Sequence, residues 1–172
     1  MSEELDPRVL VEKLSVATEV FVRNLAPRGI VPKFLSAVTR DRRHFLLDLK
    51  TLGMDRRDEM DFLRWLVSRE DVCAHASTRA FEDVDALPGM EKRHLMVMVF
   101  SEKLGRELEM PFWPDAEGRL TYGETSTTDL SQELVGEHVF NYSRKSEANQ
   151  LKRWSFGERW ARLKERVVWR TM

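Results

Sequence analysis

Two of the four histidines close a carboxylate-x-x-histidine pattern, Asp41-Arg42-Arg43-His44 and Glu91-Lys92-Arg93-His94. On a helix, residues i and i+3 share a face. Each motif could then present one carboxylate and one imidazole to a transition metal. Di-iron and di-manganese bundles use two such motifs plus a glutamate from each of two further helices. Glu19, with Glu59 or Glu70, stands where those two would come. The pattern is cheap, however, in a chain with 29 acidic residues, and each motif encloses two cationic side chains. Arginine and lysine suit a solvated face better than a dry metal core. A metalloprotein with a site at Asp41, His44, Glu91 and His94 is therefore the alternative reading.

Other chemistry is thinly signalled. Cys73 lies two residues from His75, a spacing that places the two on different faces of a helix. A lone cysteine of this kind reads as a small buried hydrophobe. The chain has no glycine-rich phosphate loop, nucleophile elbow, HExxH or CxxC. One cysteine allows no intrachain disulfide, which suits a reducing cytoplasm. The start, MSEELDPR, carries no apolar signal segment, and the longest apolar run, Leu95–Phe100, is far shorter than a membrane span. A soluble cytoplasmic protein is expected.

The second candidate site is a surface. Three of the five tryptophans fall in residues 151–170, LKRWSFGERWARLKERVVWR. From Arg144 onward there are nine basic and three acidic side chains, a net charge of +6 against −7 for residues 1–143. On a helical wheel Phe156, Trp160, Leu163 and Val167 form a core-facing stripe. Arg159, Arg162, Arg166 and Arg170 form a ridge about a quarter-turn away. The ridge could meet phosphates or an acidic protein, with Trp154 or Trp169 stacking beside it. The same arginines could equally pair with the acidic body of their own chain.

These residues need elements to carry them, and the spacing predicts helices. Asp6-Pro7 opens one, with Leu10, Leu14, Ala17, Phe21 and Leu25 along a stripe. Pro32 opens a second, carrying Phe34, Val38, Phe45, Leu49 and Leu52 to a stop at Gly53. Asp55 caps a third, with Phe62, Leu63, Trp65, Leu66 and Val67 on its apolar face. A short helix is expected over 79–87. Another is expected over 90–108, where HLMVMVF could also pass for a buried strand. Met90, Met96, Met98 and Met110 read there as gap-fillers of a core. Residues 109–127 form one long loop or small hairpin, with Phe112-Trp113 facing Leu120–Tyr122. Ser126 and Asp129 suggest a capping box before Leu130, Leu134 and Val135, and Ser146 caps the last helix.

The expectation is thus a single all-α domain over 1–172, a bundle of five to seven helices with a basic C-terminal helix at 147–170 docked on it. Its function is expected to be that of a non-enzymatic interaction module, an adaptor, regulator or assembly factor. A protein partner would be met through the 109–127 segment, with Trp113 and Tyr122, and through Arg159, Arg162, Arg166, Arg170 and Trp169. Nucleic-acid binding by the basic helix is a further alternative.

Overall fold

The computed structural model describes residues 6–131 and 150–171. It overturns the all-α expectation. Among the described residues, eight strands form one antiparallel sheet curled into a half-barrel, with three α-helices. The elements are α1 (Pro7–Leu25), β1 (Phe34–Thr39), β2 (Arg43–Asp48), α2 (Arg56–Arg69), β3 (Val72–Glu82), β4 (Arg93–Ser101), β5 (Gly105–Pro114), β6 (Leu120–Tyr122), β7 (Ser126–Leu130), α3 (Gln150–Lys164) and β8 (Val168–Thr171). The strand order is β6-β5-β4-β3-β1-β2-β8, and β7 pairs with the same edge of β5 as β6.

The corrections have one physical cause. Strand β1 is buried at all six positions. Phe34 and Val38 point to the layer under α1, Leu35 and Ala37 to the layer under α2 and α3. A strand covered on both sides shows a continuous apolar run, which periodicity cannot tell from a buried helix. The expected helix over 32–53 is therefore a hairpin followed by a 3₁₀ turn at Leu49–Leu52. Its tight turn places Arg42 in the left-handed region, φ 63°. The expected helices over 79–87 and 90–108 dissolve into β3, a loop, β4 and the start of β5. Leu95, Val97 and Val99 sit at 0% exposure beneath α1, while Met96 and Met98 point to the opposite face, half-buried. Residues 109–127 are largely strand, with Phe112 opposite Tyr122 and Trp113 opposite Thr121. The helix expected from Ser126 begins instead as β7. Its Leu134 and Val135 part, His138 and the Ser146 cap lie outside the described residues.

The helices cover the sheet in a staggered way. Helix α1 starts on Asp6, whose carboxylate accepts from the Arg8 amide, with Pro7 in the first turn. It lies over β3, β4 and β5, burying Leu10, Val11, Leu14, Ser15, Thr18 and Val22. Helix α2, capped by Asp55 onto the Asp58 amide, lies on the other side. There Phe62, Leu63, Leu66 and Val67 meet Leu35, Ala37, Phe45 and Leu47.

Helix α3 completes that second layer. Phe156 and Trp160 are each 4% exposed. Phe156 packs edge-on to Phe62, and Trp160 sits 5.7 Å from Phe45, ring centre to ring centre. The Trp160 indole donates to buried Glu70 at 2.6 Å, and Lys164 reaches the same carboxylate. A buried carboxylate is tolerated only when so satisfied. The chain then turns at Lys164–Arg166 into β8, which pairs with β2 and lays Trp169 on Phe45.

Phe45, fully buried between two tryptophans, is thus the residue that holds both C-terminal elements. Phe45→Ala should cost about 3–5 kcal/mol, measured by chemical denaturation. Amide exchange in α3 should accelerate more than in α1, which packs on the other side of the sheet.

Candidate functional site

The two halves of the proposed metal site do not meet. His44 is on β2, pointing to the α1 side; His94 is on β4, on the opposite side, beside Glu109. Three strand spacings, about 14 Å, separate the strands. The local partners are also spoken for. Asp41 lies in the β1–β2 turn, where it accepts from the Thr39 hydroxyl and from Arg43. The Thr39 bond foremost holds its carboxyl below the usual range. Glu91 caps the β3–β4 loop through the Lys92 and Arg93 amides, and the Arg93 amide foremost lowers its pKa. His94 has Nε2 hydrogen-bonded at 3.0 Å to the Glu91 carbonyl oxygen, while Nδ1 lies 2.8 Å from Glu109 without hydrogen-bond alignment. Glu19 pairs with Arg23 and Thr125, Glu59 with Lys33, and Glu70 with Trp160. No group of three or more metal-ligating side chains occurs among the described residues.

The arginine ridge is also broken up. Helix α3 ends at Lys164, so the i+11 spacing to Arg170 no longer describes one face. Arg159 donates to the Leu52 carbonyl and fastens α3 to the 3₁₀ turn. Arg162 and Arg166 are exposed, as is Trp154. Arg170 is on β8, projecting to the α1 side of the sheet, while Trp169 packs on the α2 side. Trp113 is 38% exposed on β5. Tyr122 is buried beneath α1, its hydroxyl without a partner and its pKa pushed up to about 12 by burial. Cys73 is buried, donates to the Val38 carbonyl, and has its pKa raised by burial, which makes it unreactive.

What the fold does assemble is a groove. Because α1 covers β3–β5, the α1 side of β2 and β8 is not closed over among the described residues, and the buried Ser36 and Val38 of β1 form the inner edge of the opening. The strands are in register there. Val38, His44 and Arg170 form one rung; Ser36, Leu46 and Val168 form the next. Leu10, Lys13, Leu14, Ala17, Thr18 and Phe21 of α1 make the wall. The enclosed volume is about 420 Å³, within the range of ligand-binding clefts. Ser36 Oγ and His44 Nε2 share a 2.7 Å hydrogen bond on its floor. Burial lowers the His44 pKa, and Arg170 across the rung lowers it further.

A serine–histidine pair invites a hydrolytic reading, and the geometry opposes it. A working pair needs a group that stabilises the imidazolium, whereas the charge beside His44 is Arg170. It also needs backbone donors aimed at a developing oxyanion. Ser36 sits mid-strand, and β1 is paired on both edges, to β2 and to β3. The arrangement is equipped to bind apolar surface.

Sequence reasoning missed Lys13, Ser36, Leu46 and Val168. One signal was available. Val9, Val16 and Val20 place apolar side chains on α1 outside its single core-facing stripe.

The His44 assignment can be checked by NMR. Its imidazole should titrate below 6.5, and Arg170→Ala should move the midpoint upward. Because the folded-state pKa is depressed, the neutral ring stabilises the fold fully above about pH 6.5. That contribution should fade as pH falls from 6.5 through the folded value. A midpoint above 6.5 would contradict a solvent-poor site beside a cation. In comparison with known proteins, no family model, curated protein or solved structure matches this chain.

Proposed function

We propose that this chain is a non-enzymatic protein-interaction module, and that its docking surface is the groove together with the outward side of α1. One observation carries the reading. Helix α1 carries apolar side chains on two sides, a broad side toward the sheet and groove and, beyond Lys13 and Asn24, a strip of three valines. Its buried side meets the sheet, its flank lines the groove, and Val9, Val16 and Val20 point away from the sheet, 46%, 54% and 53% exposed. Phe21, at 37%, bridges groove and flank. The polar residues Arg8, Glu12, Glu19 and Arg23 border the valines on the side away from the groove; Glu12 is tied to Arg106 and Glu19 to Thr125.

A surface helix packed on a sheet needs only one apolar stripe. A strip of exposed valines beside a partly open sheet is the kind of patch that marks an interaction surface. The width fits a helix. Three strands span about 10 Å from first to last, and a helix with side chains is about 10–12 Å across. A partner helix laid on β1, β2 and β8 would complete the α1-side layer, the helix-in-groove mode of recognition. No helix among the described residues is long and apolar enough to cross a membrane, so α1 is not read as a span.

A photo-crosslinking residue at Val20, tested in the cell of origin, should give one discrete product with a different protein. The crosslinked peptide should come from a helix-forming segment. The same probe at Arg8, on the polar stripe, should give none. Products at both positions, or at neither, would count against the surface proposed.

A further inference from the structure

We infer that the partner helix is acidic along both flanks, and that Lys13 and Arg170 are the two side chains that read it. The inference rests on the helix-docking reading above and adds the partner's chemistry to it.

The charges around the groove are asymmetric. Lys13 stands on the α1 wall and Arg170 on β8, the outer strand of the floor. Both are exposed, and neither has an ion-pair partner among the described residues. Several other cations near the sheet are matched: Arg23 with Glu19, Lys33 with Glu59, Arg40 with Asp71 and Glu102, and Arg106 with Glu12 and Asp129. No carboxylate lines the groove. Its polar groups are two cations, the Ser36–His44 pair and Thr18, set among Leu10, Leu14, Phe34, Val38, Leu46 and Val168. An occupant with an apolar underside and carboxylates facing α1 and β8 satisfies all of them.

That chemistry decides between occupants. A second copy of this chain would bring its own Lys13 and Arg170 to the interface. The carboxylates of its α1, Glu12 and Glu19, are on the far side and already engaged. Like charges brought together oppose association. A small aliphatic acid would bring one carboxylate to two cations that stand on different elements, α1 and β8. An acidic amphipathic helix fills the groove, covers its apolar floor and pairs both cations.

The test uses the full chain and three synthetic helical peptides of about 16 residues. They share one leucine–alanine face and carry glutamate, glutamine or lysine on both flanks. Binding is read by fluorescence anisotropy, and the site by backbone amide shifts. The glutamate peptide should bind about tenfold tighter than the glutamine peptide, with the lysine peptide weakest. The gap should shrink as salt rises. The double substitution Lys13→Glu with Arg170→Glu, at two exposed positions, should leave the melting temperature nearly unchanged and reverse the order of the peptides. Equal binding of all three, mapped to the groove, would overturn the acidic preference while leaving helix docking intact. Binding of none would overturn the docking reading itself. A dimer in sedimentation, with amide shifts on concentration confined to α1 and β8, would replace the partner helix with a second copy.

Discussion

Everything in this protein depends on burying β1 from both sides. A strand with no solvent face demands two apolar layers. The chain supplies α1 for one, and α2 with α3 for the other. Neither layer is wide enough to cover the sheet. Helix α1 is shifted towards β3–β5, and α2 and α3 towards β1 and β2. The stagger closes the core where the layers overlap, at β1 and β3. Among the described residues it leaves β2 and β8, beside the buried β1, open on the α1 side. The groove is therefore a consequence of how two incomplete layers share one central strand.

The C-terminal element makes that floor usable. Without β8 the sheet would end at β2, and His44 and Leu46 would sit at an edge with unpaired backbone, a hazard for uncontrolled strand pairing. Strand β8 widens the floor by one strand and brings Val168 and Arg170 to it. It is held mainly from behind. Trp169 packs on Phe45 and near Trp160, and the Arg43 guanidinium lies 4.7 Å from the Trp169 ring centre. The alternation of a strand then does the sorting: Trp169 anchors in the α2-side core while its two neighbours face the groove. The anchoring and exposed roles in this short segment belong to adjacent residues.

The same alternation explains what could be read in the sequence. Helices α1 and α2 were legible because each has a capping aspartate and an apolar period of three to four. The Phe156–Trp160 stripe of α3 was legible for the same reason, since tryptophan at helical spacing has few places to go but a core. Strands β1 and β4 were not. A run such as Phe34–Thr39 is apolar because both its faces are buried, so the period-two signal vanishes. The pairing of β1 with β3, and of β2 with β8, joins residues far apart in the chain, which local spacing does not encode. Every misplaced site residue follows. His44 was placed on a helix with Asp41, when its true neighbour is Ser36, diagonally across a hairpin. Arg170 was placed on a ridge with Arg166, when a turn and a change of element separate them.

Site chemistry inherits this lesson. On a helix, a carboxylate three residues before a histidine is a bidentate donor pair; at a strand start or hairpin turn it is a local brace. Asp41 and Glu91 brace turns, each through hydrogen bonds to neighbours within two residues. Their histidines are then free to be used by other strands, His94 by Glu109 on β5 and His44 by Ser36 on β1. Lys13 and Arg170, which have no ion-pair partner among the described residues, are ordinary surface cations by sequence. Only the sheet register, which sets Arg170 opposite His44, and the shift of α1 across the sheet make them two sides of one groove. Their value as recognition groups is set by place, because a cation beside apolar surface that a partner will cover loses water on docking, and a carboxylate from that partner is what makes the loss tolerable.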